Sequence, residues 1–218
     1  NWLLTDNGLG MIRPGEWQPV NYFVETQGKQ DGMNQAFYAV RECEDDICFT
    51  SDRGRIWCYQ KKSGEFRLHE LPTKARITSI HAVGNDNTVV TTDSDGFFLS
   101  NLKTNKHIHY SPVTCKELSD QPILSAYVDR TSEVWFEQEE PGVVVHFNPA
   151  TGVVKREQMR VEYSNADRSR PAFHIHEDIH GHVWVHPYGG GFSYFDRERN
   201  CLVPFYDDLG SNNWRFSN

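Results

Sequence analysis

The densest run of chemistry-bearing side chains is Phe173-His174-Ile175-His176-Glu177-Asp178-Ile179-His180-Gly181-His182, with His186 close behind. On a strand, His174 and His176 project from one face, a spacing that suits two ligands of a divalent ion. Further ligands would have to come from Glu177 or His180, yet a turn separates the two pairs. Imidazoles exposed on a sheet edge or near a central channel are the expected reading, with no metal and no cofactor. Neighbouring His and Glu also raise acid/base catalysis, which needs an acid and a base converging on one substrate. The sequence supplies those residue types but not their convergence. Gly189-Gly190-Gly191 falls in a strand–strand turn and opens no helix, so it is no phosphate loop, and no nucleophile elbow or zinc helix is present. Catalysis is not expected of this region.

A second group lies in the segment from Glu157 to Pro171, which carries Arg160, Tyr163, Asn165, Asp167, Arg168 and Arg170. Arg forks suit carboxylate or sulfate groups, and a flat aromatic ring suits a sugar face. The candidate ligand-binding residues are therefore Arg168, Arg170, Tyr163 and Tyr188, together with His174. The chain has 22 Lys and Arg against 30 Asp and Glu, a formal net charge of −8, and no basic run longer than Lys61-Lys62. That balance leaves no electrostatic footprint for nucleic acid and makes anionic membranes poor partners. No apolar stretch reaches the roughly 18 residues of a membrane helix.

What must position these residues is a repeat. Second strands of one recurring unit read Trp2-Leu3-Leu4-Thr5, Cys48-Phe49-Thr50-Ser51, Val90-Thr91-Thr92-Asp93, Trp135-Phe136-Glu137 and Trp184-Val185-His186. Positions 2, 48, 90, 135 and 184 are 46, 42, 45 and 49 residues apart. Several strands recurring at roughly 40–50 residues is the signature of a β-propeller. One small sheet cannot bury both faces alone, and radial stacking covers each face with a neighbour. The expected fold is an all-β partial propeller of about five four-stranded blades, at 1–25, 35–71, 77–110, 123–158 and 173–206, with the start of a further blade at 214–218. Trp2, Trp135 and Trp184 recur at one repeat position and are expected to pack between blades. Residues 1–5 are already a second strand, so the first blade lacks its innermost one. An intact ring of seven such blades would need roughly 315 residues. The remaining blades of a parent chain, or a second copy in a homodimer, are expected to cover the open ends.

Five cysteines form no evident framework. If Asp45-Asp46 is a two-residue turn, Cys43 faces Cys48; if Asp52 to Gly54 is a three-residue loop, Cys48 faces Cys58. The expected role is as small apolar fillers, with an oxidised pair as the alternative.

These units resemble the two-component regulator propeller repeat. Glu177-Asp178, Gly181, Val183-Trp184-Val185 and Gly189-Gly190-Gly191-Phe192-Ser193-Tyr194-Phe195-Asp196 match its pattern, and Trp2 to Leu9 matches its middle. The units at Gln35 and Ile77 depart from it, with Cys48 and Val90 in place of Trp. The resemblance implies the periplasmic sensor part of a hybrid two-component system, an inner-membrane protein whose histidine kinase lies outside this region. It further implies that an oligosaccharide, or another small ligand, is sensed. A propeller lyase or hydrolase, and a protein-interaction scaffold, are the competing readings.

Overall fold

Short runs of β-branched and aromatic residues, punctuated by Asp-, Asn- and Gly-rich turns, pair here into antiparallel meanders. A computed structural model describes residues 1–6, 8–22, 36–43, 45–84, 86–138, 140, 143–158, 174–186 and 193–204. The first sheet holds β1 (Trp2–Thr5), β2 (Gly8–Met11) and β3 (Val20–Tyr22). The second holds β4 (Phe37–Glu42), β5 (Asp46–Ser51), β6 (Arg55–Gln60) and β7 (Phe66–Glu70). The third runs through β8 (Ile77–Val83), β9 (Asn87–Thr92), β10 (Phe97–Asn101) and β11 (Lys106–Tyr110). β12 (Ile123–Val128), β13 (Val134–Gln138), β14 (Val143–Asn148) and β15 (Val153–Gln158) make the fourth. β16 (His174–Glu177), β17 (Val183–His186), β18 (Ser193–Asp196) and β19 (Cys201–Pro204) make the fifth. No helix occurs among the described residues. The chain is the expected all-β propeller.

Each core lies between consecutive sheets. Trp2 packs on Phe49 and Tyr59 of the second sheet at 4.9 and 5.0 Å between ring centroids. Trp135 is fully buried and meets Phe195 of the fifth sheet edge-on at 4.9 Å, while His146 stacks on it at 4.5 Å. Both tryptophans thus pack between blades as the repeat predicts. Trp184 keeps company with Tyr194 of its own sheet at 5.6 Å.

The cysteine expectation needs two corrections. The Cys43 N–H donates to Asp46 O at 2.8 Å and Cys48 stands opposite Arg41, so the hairpin turns one residue earlier than expected and Cys43 does not face Cys48. The Asp52 to Gly54 loop does place Cys48 opposite Cys58, and the two form a disulfide with Cα atoms 4.0 Å apart. They are buried as fillers would be, but covalently joined, because the register aims both thiols into the same core between the second and third sheets. Cys43, Cys115 and Cys201 are free.

Three innermost strands share one irregularity. The ladder shifts register between Phe37 and Ala39, between Ile77 and Ser79, and between Ile123 and Ser125. Tyr38, Thr78 and Leu124 are the extra residues. A bulge re-aims the side chain it carries, and these three sit at the sheet edge where the second strand turns into the third.

Candidate functional site

That edge, called the rim below, collects the turns between second and third strands and the linkers from one sheet to the next. Loops held by a rigid scaffold are where function usually resides. Between the second and third sheets the rigidity has a visible source. The Gly54 N–H donates to Ala75 O at 3.0 Å, and the Leu71 N–H donates to Gly54 O at 2.9 Å. A Cβ on Gly54 would lie 2.9 Å from both Leu71 O and Thr73 Cγ2, and its φ is +68°, so only glycine lets the linker lie flat on the turn.

On this base, bulged Tyr38 presents a half-exposed ring. Its hydroxyl donates to Asp52 Oδ2 at 3.3 Å, and the Arg76 guanidinium lies 5.0 Å over the ring centroid. Burial and then the Asp52 charge raise the phenol pKa above its ordinary value, with Arg76 opposing. Arg76 is held by Asp93 twice, Nε to Oδ2 at 3.3 Å and backbone N–H to Oδ1 at 3.2 Å. One turn further, His109 faces Asp95 at 3.1 Å and stacks on Phe98 at 4.3 Å. Outside this group an open depression of about 560 Å³ is lined by Arg53, Arg55, Glu70, Pro72, Lys74 and Asp95, among others. An aromatic face with fixed donors and acceptors around it has the chemistry to hold and orient a polar ligand.

The opposite edge is built for another purpose. Asp129 has no exposed side-chain surface. Its Oδ1 accepts the Thr131 N–H, Thr131 hydroxyl and Glu133 N–H at 2.8, 2.6 and 3.0 Å. Its Oδ2 accepts the Trp135 indole N–H at 2.9 Å and an Arg197 N–H of the fifth sheet at 2.8 Å. Burial pushes this carboxyl up, but the Thr131, Trp135 and Arg197 hydrogen bonds outweigh it and hold the pKa below the usual range. Asp178 repeats the arrangement one blade on, accepting from the Trp184 indole at 2.9 Å and from the His180 and His182 N–H groups at 2.8 and 3.0 Å. The indole bond comes first in holding its pKa well below the carboxylate range. Arg130 crosses to Glu177 at 2.8 Å, and Glu133 meets the buried His146 at 2.7 Å. Of these, the Arg130–Glu177 and Arg197–Asp129 pairs fasten the fourth sheet to the fifth.

Of the residues expected to bind ligand, Arg168, Arg170, Tyr163 and Tyr188 lie outside the described residues. His174 is exposed at the rim end of β16, opposite His186. Glu177 lies at the far end of that strand, its side chain only 6% exposed and bound by Arg130, so His174 and Glu177 do not converge as an acid/base pair. The carboxyl that responds electrostatically to His174 is Glu137 of β13, whose pKa burial raises and His174 opposes. No group of three metal-ligating side chains occurs among the described residues. Sequence reasoning passed over Tyr38, Asp52, Arg53, Lys74, Arg76 and Asp93. The available signal was an Asp directly after three second strands, Asp6, Asp52 and Asp93.

No family model matches the chain and no curated protein sequence matches it. Solved structures do. The extracellular domain ascribed to a hybrid two-component system of B. thetaiotaomicron aligns with a TM-score of 0.66 at 17% identity, over 93% of this chain and 28% of that one. Virginiamycin B lyase from Staphylococcus aureus aligns with a TM-score of 0.65 at 17% identity, over 92% of this chain and 63% of the lyase. YCF48 bound to D1 peptide follows at 0.62 and 12% identity, over 93% of this chain and 63% of that one. The chain thus spans less than two thirds of the length of each. At these identities the likeness establishes the fold alone: the chain is a β-propeller.

Proposed function

We propose that the chain is a ligand-sensing, non-catalytic propeller from the periplasmic part of a two-component signalling protein, and that an oligosaccharide is the class of ligand its rim takes. The observation that carries this reading is the Tyr38, Asp52, Arg76 and Asp93 cluster. It offers a ring face flanked by fixed polar groups, and it holds neither a nucleophile beside a base nor a convergent acid and base. Two further observations agree. Extracellular domains ascribed to hybrid two-component systems share the fold over 93% of the chain. The Cys48–Cys58 disulfide suits an oxidising compartment.

The test is calorimetry of the full chain against a panel of oligosaccharides, with Tyr38→Ala and Arg76→Ala alongside. Each variant should lose about one to two powers of ten in affinity. Absence of binding across the panel, or unchanged affinity in both variants, rejects the reading. The likeness to virginiamycin B lyase favours one alternative, a propeller lyase. Turnover of virginiamycin B that is lost in His174→Ala would establish it.

A further inference from the structure

Turn chemistry selects Asn, Asp, Ser or Gly where the backbone adopts positive φ. Among the described non-glycine residues with positive φ, Asp86, Asn105, Ser132 and Asn200 obey that rule. Arg53, at φ 57°, does not. A long cationic side chain at the apex of a turn gains the turn nothing, and conformational outliers of this kind cluster at functional sites. The turn itself is fixed from below, since Gly54 is clamped to the linker that carries Lys74.

Arg53 and Lys74 are both exposed, both line the rim depression, and neither has an ion-pair partner among the described residues. Other cations nearby are already engaged: Arg55 with Glu70 at 3.4 Å and Arg76 with Asp93 at 3.3 Å. The carboxylates lining the depression are engaged as well, Glu70 by Arg55 and Asp95 beside the His109 ring at 3.1 Å. Two uncommitted cations therefore face one open space, across a wall that includes Leu71 and Pro72. Charge placed where no internal partner uses it favours an external anion, and the Arg fork adds planar bidentate geometry.

Resting on the sensing function argued above, we propose that Arg53 and Lys74 form an anion subsite of the rim, which selects ligands carrying a carboxylate or sulfate group. The subsite lies beside Tyr38 and Arg76 through the shared Asp52-Arg53 turn and the Lys74 to Arg76 linker. A ligand spanning both would set a sugar-like body on the inner cluster and its acidic substituent in the depression.

The experiment uses the full chain and three oligosaccharides of matched length: one neutral, one containing uronic acid, one sulfated. Arg53→Asn is the suitable variant because Asn accepts the left-handed backbone, and it is combined with Lys74→Gln. At least one acidic oligosaccharide should bind the native chain about tenfold or more tightly than the neutral one. The double variant should erase that preference and its salt dependence, with neutral affinity and melting temperature unchanged. The uronic and sulfated arms then show which anion the subsite takes. Equal affinity for all three ligands overturns the subsite and leaves the sensing function standing. A preference that survives the double variant overturns it too, since selectivity then resides elsewhere. No binding by any of the three rejects both.

Discussion

Replacing Asp129 with Ala removes the acceptor for five donors at once. Two of these, the Thr131 and Glu133 N–H groups, belong to the turn between β12 and β13. The Trp135 indole is fully buried and has no water to turn to. Arg197, by contrast, is 34% exposed and lies 3.6 Å from Glu133, so it relaxes onto another carboxylate or solvent. An orphaned buried donor costs about 1–3 kcal/mol, and breaking a buried charged pair about 3–5 kcal/mol. Because Arg197 recovers part of its loss, about 3–5 kcal/mol in total is expected for Asp129→Ala. In a chain of this size each kcal/mol moves Tm by roughly 2–4 °C, so Tm should fall by about 10 °C.

A double-mutant cycle isolates the indole bond. Trp135→Phe keeps an aromatic ring and deletes the donor, so Asp129→Ala should cost less by about 1–2 kcal/mol in that background. The pH dependence carries a definite sign. The folded-state pKa of Asp129 is depressed, so its contribution is present above the ordinary carboxyl value near 3.9 and is lost as pH falls through the lower folded value. The gap between native chain and Asp129→Asn should therefore hold from neutral pH to about 5 and narrow below about 4. Thermal melts monitored by near-ultraviolet circular dichroism measure all three quantities. Strict additivity in the cycle, or a gap that widens on acidification, refutes the clasp.

Two other perturbations test separate parts of the fold. Unfolded without reductant, the chain should titrate three free thiols, Cys43, Cys115 and Cys201; five would show that the disulfide does not form. Closing a loop across a separation of 10 residues contributes about 3 kcal/mol, so reduction should lower Tm by roughly 5–10 °C, and Cys48→Ala/Cys58→Ala should be indifferent to reductant. Burial raises the pKa of Glu137, so the stability of the native chain relative to Glu137→Gln is greatest below the ordinary value near 4.3 and is lost as pH rises through the folded value. Glu137→Gln should accordingly melt higher at pH 8 with the advantage gone near about pH 4, and equal melts at pH 8 would sink that account.

The parts of the fold legible in the sequence are those set by local alternation. The second strands fall on positions 2, 48, 90, 135 and 184 because period-two patterning and turn residues act within a few residues of one another. Cys43 shows where that stops: Glu44, Asp45 and Asp46 are equally good turn formers, and one residue of slip decides which thiols face. Glu177 looked like a free acid beside two imidazoles. Its partner, Arg130, lies 47 residues earlier, and only the packing of two sheets brings them together. A local contact did leave a trace. Asp129 and Asp178 each precede their Trp by six residues, whereas Cys48 and Val90, which replace Trp, are preceded at that distance by Glu42 and Gly84. Trp and that Asp are kept or lost together.

Loop length reports exposure, but a ligand is recruited by charge that the fold leaves unused, and only a full count of partners shows that. Arg130, Arg197 and Arg76 are spent on Glu177, Asp129 and Asp93, while Arg53 and Lys74 have no ion-pair partner among the described residues. The two edges divide the work accordingly. One edge closes on itself, with Asp129 and Glu177 buried against arginines that bridge the sheets. At the rim the Arg53 turn is fastened through Gly54, while the Arg53 and Lys74 side chains are exposed and make no ion pair among the described residues. The clasp thus lies at one edge, between the fourth and fifth sheets, and the proposed anion subsite at the other edge, between the second and third. Substitutions at Asp129 should move Tm with little effect on ligand affinity, and substitutions at Arg53 and Lys74 should do the reverse; a variant at either edge that moves both in equal measure would show that the edges are coupled.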